Sequence, residues 1–268
     1  MPSATSYLDR VLPAIDVVGG RFAALATSAA DPDAPVPSLP GWTVRQAVEH
    51  VVTVAPRYAR GPEGGGSWVA DPRELAALNQ AEIEALDSMD MAGLAGRLQG
   101  ELAALASQVE GYGGQPPSFR FHGGERVRAD VALGILLGEL VVHGWDLARA
   151  LGRPWPIEPG HVALIVEGVN PILPGWVDRA AAKGLDATFE LRPRGLTTQV
   201  WSFRDGRLQV NPDDGRRVDV HISGDPAAVL LLLYRRQGQW RSIAAGKLLA
   251  WGRRPWLALT LTRRFHQP

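Results

Sequence analysis

The segment 130–151 constrains the fold more than any other part of the chain, because ionisable side chains interrupt an almost continuous apolar run. The apolar residues leave no polar face, and a helix that is apolar on every side is buried. Glu139, His143 and Asp146 follow at spacings of four and three, so they project from one side of that helix. An isolated carboxylate is costly to remove from water unless it is paired or binds a metal. We therefore expect a cation beside Glu139.

His50 is a candidate for the same place. Thr43 and Gln46 form a capping box that starts a helix, and His50 lies at the edge of the apolar stripe of that helix. Two imidazoles and one carboxylate are a common catalytic zinc set, in which the fourth position is left for water or substrate. Asp146 is either a fourth ligand or a residue that orients an imidazole from behind. The competing interpretation is a local Glu–His hydrogen bond, with His50 as a satisfied core histidine.

The first half of the chain consists of predicted helices joined by loops rich in Pro and Gly. Helical periodicity is predicted for residues 5–29, from Thr43, from Asp71-Pro72 to about Leu86, at 91–109, and from Asp130, as the cap, to Leu151. Loops are predicted at 31–41, at the glycine cluster 61–66 and over 111–129. Helices connected in this way are typical of an up-and-down bundle.

The hydrophobic period changes in the second half. A helix near 160–182, bent at Pro171 and Pro174, is predicted to lead into strands at 187–193, 197–203, 207–210 and 217–223. Asp205-Gly206 favours a hairpin turn, and Gly224-Asp225-Pro226 favours a helix start. A further helix around 242–250 and a last strand over 257–264 complete the pattern. We expect a sheet with helices on one face.

Composition limits the classes of function. Cysteine is absent, which excludes disulfides, thiolate metal ligands and a cysteine nucleophile. Acidic and basic side chains balance at 28 each, so no net charge attracts the chain to nucleic acid or an anionic membrane. The N-terminus lacks the pattern of a signal peptide, and the apolar stretches are too interrupted to span a bilayer. We expect a cytoplasmic monomer or small homo-oligomer that acts on a small-molecule substrate and binds neither nucleic acid nor membrane.

Three weaker features remain. Residues 121–124 resemble the oxyanion loop of esterases, but the chain has no G-x-S-x-G nucleophile motif. We interpret the segment as a flexible loop near the pocket, with His122 as a possible substrate contact. Most arginines between 235 and 264 are predicted to be solvated, while one or two reach over the bundle to hold an anionic substrate. The tryptophans of this region that are predicted to lie in the core are Trp240, Trp251 and Trp256.

Three blocks carry a resemblance to a known family. GWTVRQAVEH (41–50) and GELVVHGWDLARALGRP (138–154) resemble the signature blocks of the mycothiol-dependent maleylpyruvate isomerase family, and VDVHISGDPAAVLLLLYRR (218–236) resembles its second domain. The implied fold class is α plus α+β. The implied units are a DinB-like four-helix bundle over 1–155, a helical connector over 156–186 and a sterol-carrier-like sheet-and-helix domain over 187–268.

The resemblance also implies a ligand set. In that family the bundle holds a divalent metal through a histidine after the W-T-V block and through the Glu and His of E-x-x-x-H-G-W-D. Matched residue by residue, these ligands are His50, Glu139 and His143. The implied cofactors are a divalent metal, with zinc as the first choice, and mycothiol as cosubstrate, as in actinobacteria.

The implied function is activation of a low-molecular-weight thiol. Its thiolate adds to a conjugated double bond, permits rotation and leaves, which is isomerisation, or it attacks an electrophile and stays attached, which is S-transfer. Two alternatives remain open: a thiol-independent metal-dependent isomerase or epimerase of specialised metabolism, and a non-catalytic metal-stabilised ligand-binding protein. The chain departs from the family at Val51-Val52-Thr53, where members often carry Leu-Ala-Gly. No catalytic residue beyond the metal set is predicted.

Overall fold

The computed structural model describes residues 6–60 and 68–267. Its first part is helical, with helices α1 (Tyr7–Thr27), α2 (Val44–Arg60), α3 (Leu75–Glu84), α4 (Met91–Glu110) and α5 (Ala129–Ala150). Helix α4 packs against α1 and α2, and α5 packs against the same two helices from the other side of the core. The predicted four-helix bundle is therefore confirmed. The predicted break at the glycine cluster 61–66 lies outside the described residues.

Capping residues set where the bundle helices begin. Thr43 and Gln46 exchange hydrogen bonds, because each backbone N–H donates to the other residue's side-chain oxygen, at 3.0 and 3.3 Å. The predicted capping box is thus confirmed, and it places His50 in the second turn of α2. Asp71 accepts from the backbone N–H of Arg73, which opens a short 3₁₀ turn before α3.

The central helix α5 is enclosed by the others. Its length and composition would allow it to cross a membrane, but 83% of its apolar 18-residue stretch is buried inside the fold. The prediction that Asp130 caps it is wrong: the capping position is Arg128, and Asp130 lies in the first turn. The carboxylate of Asp130 pairs with the Arg128 guanidinium, so it is engaged by a side chain rather than by the backbone.

Two glycines let neighbouring segments approach the backbone of α5. Gly134 faces Gly168 of helix α6 (Pro159–Val169), and a Cβ on Gly168 would lie 2.7 Å from the Gly134 Cα. Gly144 lies under the indole of Trp155, whose Nε1–H donates to the Val141 carbonyl at 3.0 Å. These contacts hold α5 in one position along its length.

Two predictions about the connecting segments are wrong. The segment 111–129 contains an antiparallel hairpin of strands β1 (Ser118–Arg120) and β2 (Arg126–Arg128), whose three-residue strands are too short for an alternation pattern. The segment 160–182 is broken rather than bent, because prolines interrupt the hydrogen-bonding ladder. It contains α6, a 3₁₀ turn at Leu173–Trp176 and the short helix α7 (Arg179–Ala182).

The second half of the chain forms a five-stranded sheet. Its strands are β3 (Ala187–Pro193), β4 (Gln199–Arg204), β5 (Arg207–Val210), β6 (Val220–Gly224) and β7 (Leu248–Gly252). The order is β5-β4-β3-β6-β7, with β3 and β6 parallel and every other pair antiparallel. Asp205 and Gly206 both have positive φ, at 45° and 73°, so the predicted hairpin turn between β4 and β5 is confirmed.

The C-terminal predictions hold only in part. Asp225 caps helix α8 (Pro226–Leu233) as expected, by accepting from the Ala228 N–H. The predicted helix 242–250 is instead helix α9 (Gln239–Ala244) followed by strand β7, and the predicted strand 257–264 lies in a 3₁₀ helix, Pro255–Arg264. The tryptophans predicted in the core are exposed, at 65% for Trp240, 37% for Trp251 and 60% for Trp256.

The bundle core extends beyond the predicted boundary at residue 155. Buried residues of α6, of the following turn and of α8 belong to the same apolar cluster as the bundle, namely Val162, Leu164, Ile165, Ile172, Trp176 and Leu230. The sheet has its own cluster around Phe189 and Phe203. The division of the chain at residues 155 and 186 stays a prediction.

Gly134→Ala tests the close approach of α5 and α6. An added Cβ would lie 2.5 Å from the Leu164 carbonyl oxygen, so we expect urea denaturation to show a loss of roughly 1–3 kcal/mol in unfolding free energy. Gly100→Ala in α4 is the control, since a Cβ there meets nothing within 4 Å and should stabilise by up to about 1 kcal/mol. Equal stability of the two variants would contradict this packing.

Candidate metal centre

Three potential ligands converge from two helices. His50 comes from α2, and Glu139 and His143 come from successive turns of α5. Glu139 Oε2 lies 3.5 Å from His50 Nε2 and 3.2 Å from His143 Nε2, and the three ligand atoms all lie within 4.8 Å of one another. The two imidazole rings stand almost perpendicular, with their centroids 4.8 Å apart. The structure thus brings together the three residues that the sequence singled out.

Burial shapes the charge of this group. His50 and His143 are buried, and the Glu139 side chain is 19% exposed. Burial lowers the pKa of His50 to about 4, so this imidazole is neutral at physiological pH. Burial acts to raise the pKa of Glu139, but the adjacent imidazoles outweigh it and hold that pKa well below its usual range. A carboxylate and a neutral imidazole therefore face each other.

The donor set fits a divalent cation. Zinc takes imidazole nitrogen and carboxylate oxygen, and catalytic zinc sites use three protein ligands with one position left open. The buried Nδ1 of His50 has no hydrogen-bond partner among the described residues, so no other group commits this imidazole to a different role. His50, Glu139 and His143 supply the nitrogen and oxygen ligands that such an ion requires.

Asp146 lies behind His143. Its Oδ2 is 3.3 Å from His143 Nδ1, on the opposite side of the ring from Nε2, though not aligned as a hydrogen bond. Burial acts to lower the pKa of His143, but the carboxylates of Asp146 and Glu139 outweigh it and raise that pKa. Of the two roles left open by the sequence, this position favours orientation of His143 over direct ligation.

Arg236 reaches the bundle from the end of α8. Its Nε donates to both carboxylate oxygens of Asp146, at 3.0 and 2.9 Å, and Asp146 is completely buried. One C-terminal arginine does reach over the bundle, but it holds a protein carboxylate. By contrast, Arg235 donates to the carbonyl oxygens of Thr262 and Phe265. The sequence signal for Arg236 was the buried Asp146, which needed a cationic partner.

The cluster of His50, Glu139 and His143 lies on the wall of a cavity of about 300 Å³. The bundle forms one side, and α6, α8 and the C-terminal segments form the other. Aromatic residues from both sides line it, including Trp42, Trp68, Trp176, Trp201, Phe121 and Phe265. The apolar wall beside a polar centre is the usual composition of a small-molecule site.

His122 also lines this cavity. Its Nδ1 accepts a hydrogen bond from the Val69 N–H at 3.1 Å, and the side chain is only 3% exposed. The expected flexible loop is instead the turn of the β1–β2 hairpin, in which Gly123 packs against Gly175 so closely that a Cβ would lie 2.7 Å from the Gly175 oxygen. A substrate contact of His122 stays a prediction.

Sequence reasoning missed a second ion pair at the cavity, in which the arginine is buried and the carboxylate is partly exposed. Arg57 is 5% exposed, and it donates through Nε to Glu82 at 3.0 Å and through Nη2 to the Asn79 side-chain oxygen at 2.7 Å. Arg57 lies two turns after His50 on α2, so both residues face the same side. The signal was an arginine that follows His50 at helical spacing within an apolar stripe.

A comparison with family models agrees with this geometry. The model described as the mycothiol maleylpyruvate isomerase N-terminal domain matches residues 13–148, about half of the chain. The chain belongs to this family. The resemblance of the two N-terminal signature blocks to this family is thereby confirmed. The matched residues include all three candidate ligands and Asp146.

Solved structures extend the likeness to the second half. The crystal structure of the mycothiol-dependent maleylpyruvate isomerase superposes with a TM-score of 0.57 at 15% identity and covers 91% of this chain and 92% of that one. A mutant of that isomerase, with a histidine replaced by alanine, gives a TM-score of 0.54 at 16% identity. The superposition covers 84% of this chain and 87% of the mutant chain. These likenesses establish the α plus α+β fold.

Curated relatives cover less of the chain. An uncharacterized protein of Mycobacterium tuberculosis, recorded from two strains, is 29% identical over 119 residues, which is 44% of this chain. The matched part spans about half, 54%, of the length of these relatives. They add no activity to the family assignment.

The buried His122 predicts acid sensitivity. Burial lowers its pKa to about 3, whereas the unfolded imidazole titrates near 6.5. Below about pH 6.5 the unfolded state takes up a proton that the folded state does not bind. The free energy of unfolding therefore falls by about 1.4 kcal/mol for each pH unit between the two pKa values. His122→Asn keeps an acceptor for the Val69 N–H but cannot titrate, so its unfolding free energy should fall less steeply from pH 6.5 to 4.5.

Urea denaturation at several pH values, with both proteins in the same metal state, measures this difference. Parallel pH profiles for the wild type and His122→Asn would contradict the assignment of a neutral buried imidazole.

Proposed function

We propose that this protein is a metal-dependent enzyme that uses mycothiol to isomerise a small electrophilic substrate. The observation that carries the proposal is the convergence of His50, Glu139 and His143 on one point of the cavity wall. The family assignment supports it, and the named structural neighbour acts with mycothiol on maleylpyruvate. We further propose zinc as the ion, the cytoplasm as the location, and a monomer or small homo-oligomer as the active form.

The residues of the chain would hold and tune the ion. His50 is neutral at physiological pH, so it offers a lone pair without first losing a proton. Glu139 contributes one negative charge, and Asp146, held by Arg236, fixes the orientation of His143. Zinc bound there would lower the pKa of a coordinated thiol, so that the thiolate exists at neutral pH.

The thiol must come from outside the chain, because the protein contains no cysteine. The mycothiol thiolate would add to one carbon of a double bond conjugated to a carbonyl group, and the carbonyl oxygen would take up the electron pair. After rotation about the resulting single bond, the electron pair would return, the carbon–sulfur bond would break, and the double bond would re-form in the other geometry with release of the same thiolate. The aromatic walls keep water from the polarised intermediate.

S-transfer shares every step up to the carbon–sulfur bond and differs only in whether that bond breaks again. A thiol-independent isomerase or epimerase, or a non-catalytic binding protein, would use the same cavity without a thiol. Titration with mycothiol distinguishes both of these alternatives from the thiol-dependent enzyme.

Metal content tests the ligand assignment. The purified protein should carry about one zinc or similar divalent ion per chain after gel filtration, measured by elemental analysis. His143→Ala should lose that ion, because two ligands do not hold it. His221→Ala is the matched control, since His221 pairs with Glu190 on the sheet, away from the centre. Full metal content in the His143 variant would defeat the assignment.

Mycothiol titration tests the thiol. Calorimetry of the metal-loaded protein should show heat on addition of mycothiol, and S-methyl mycothiol should bind at least about tenfold more weakly, because it cannot become a thiolate. His143→Ala should show the same weak binding for both compounds. Absence of heat in the metal-loaded protein would favour the thiol-independent or non-catalytic alternatives.

A further inference from the structure

The cavity contains few charged groups, and each can be followed to its partner. Among the lining residues that the structure describes, the guanidinium groups are those of Arg57 and Arg236, the carboxylate is that of Glu139, and no lysine is present. Within this described lining, recognition of an anionic substrate would therefore depend on these two arginines.

Arg57 is already committed. Glu82 accepts from its Nε and Nη2, and Asn79 accepts from its Nη2. The guanidinium is 5% exposed, and the carboxylate of Glu82 balances its charge. A substrate carboxylate at this position would have to compete with the Glu82 carboxylate, which already accepts from two nitrogens of the guanidinium.

Arg236 is committed in the same way. Both oxygens of the completely buried Asp146 accept from its Nε, and the backbone carbonyl of Tyr234 accepts from its Nη1. Removing Arg236 from Asp146 would leave a buried carboxylate unpaired beside His143, which is strongly unfavourable. Each guanidinium already pairs with a protein carboxylate, so a substrate carboxylate would meet no arginine of unbalanced charge among these lining residues.

The remaining polar groups are neutral. Tyr58 and Tyr234 line the cavity, and burial raises the pKa of both phenols, so both hydroxyls stay protonated. The buried indole N–H groups of Trp176 and Trp201 have no hydrogen-bond partner among the described residues. Such groups donate hydrogen bonds to a carbonyl or hydroxyl oxygen, but they carry no positive charge that would neutralise a carboxylate.

Charge also balances once the proposed cofactors are counted. A divalent ion, the Glu139 carboxylate and a thiolate sum to zero, and the two arginine–carboxylate pairs sum to zero as well. A dicarboxylate such as maleylpyruvate would bring two charges into a mostly aromatic cavity with nothing to neutralise them, and burial of an unpaired carboxylate is strongly unfavourable.

From these contacts we propose that the substrate of this site is an uncharged, largely apolar electrophile, such as an aromatic enone, rather than a small dicarboxylate. The proposal rests on the proposed function for the type of reaction and names its substrate class. The cavity walls select the substrate by apolar contact, and the neutral donors orient its carbonyl group.

A matched pair of probes tests the charge preference. Methyl benzoylacrylate and benzoylacrylate carry the same conjugated enone and differ only in whether the carboxyl group is esterified. The protein has no cysteine, so without added thiol neither compound is captured by a cysteine and calorimetry reports binding. The ester should bind at least about tenfold more tightly than the acid.

The titration is made at pH 7 and at pH 8, because His266 also lines the cavity and a free imidazole is largely neutral at the higher value. It is repeated after chelator treatment, so that direct binding of the acid to the metal is recognised. An acid that binds as tightly as the ester under any of these conditions overturns the proposal.

Glu82→Gln provides a gain-of-binding test. The variant frees Arg57 from its carboxylate, so affinity for benzoylacrylate should rise at least about tenfold while affinity for the ester stays within about twofold. Glu84→Gln is the control, because Glu84 is exposed on the same helix and contacts only Gln80 among the described side chains. An unchanged affinity of folded Glu82→Gln for the acid overturns the role given to this ion pair. If that variant does not fold, as judged by circular dichroism, the comparison of the two probes on the unaltered protein decides.

The two levels of inference fail separately. A protein that prefers the ester but carries no metal and shows no heat with mycothiol keeps the apolar cavity and loses the proposed function. A protein that holds metal and mycothiol but prefers the acid keeps the proposed function and loses this substrate class.

Discussion

The carboxylate of Glu139 on the most buried helix of the bundle is the interaction on which the other features depend. A charged group among apolar side chains must be neutralised, and the two imidazoles beside it make the position suitable for a shared cation. Such a site works only if its ligands are held in place. Glycine contacts at Gly134 and Gly144 fix α5, and the Thr43–Gln46 capping box fixes the start of α2. Local backbone chemistry therefore determines the geometry of the site.

Two further ion pairs, Arg57–Glu82 and Arg236–Asp146, lie near this cluster and also neutralise charge within the protein. Buried ion pairs add little net stability, because desolvation offsets most of their attraction, but breaking one leaves an uncompensated charge. Asp146 therefore needs Arg236, which belongs to the C-terminal half. The candidate ligands in the bundle and the end of α8 are thus parts of one electrostatic arrangement. The second half completes the site instead of only covering it.

The parts of the structure that the sequence predicted are those with strong local signals. The bundle helices have long apolar periods and side-chain caps, and Glu139 and His143 share one helix, so their proximity follows from spacing. Arg57 and Arg236 were not identified as paired because their partners lie 25 and 90 residues away. The alternating run 257–264 resembled a strand, yet Pro255 opens a 3₁₀ helix there. Strand β7 consists of Leu, Leu, Ala, Trp and Gly in succession, so it lacks the alternation that identified the similarly short strands β5 and β6.

The absence of cysteine and the neutral cavity wall together bear on where charge would be stabilised during the proposed reaction. Under the proposed function the thiol comes from outside this cysteine-free chain, so the cavity would have to admit a cosubstrate and a substrate side by side. Each buried arginine of the described lining is already paired with a protein carboxylate, so these two side chains add no net positive charge to that of the proposed ion. The negative charge that develops on the substrate carbonyl during thiol addition would then find its compensation near the metal centre and the neutral donors. Charge stabilisation would thus be confined to the reacting end of the substrate, which is where a transition state needs it.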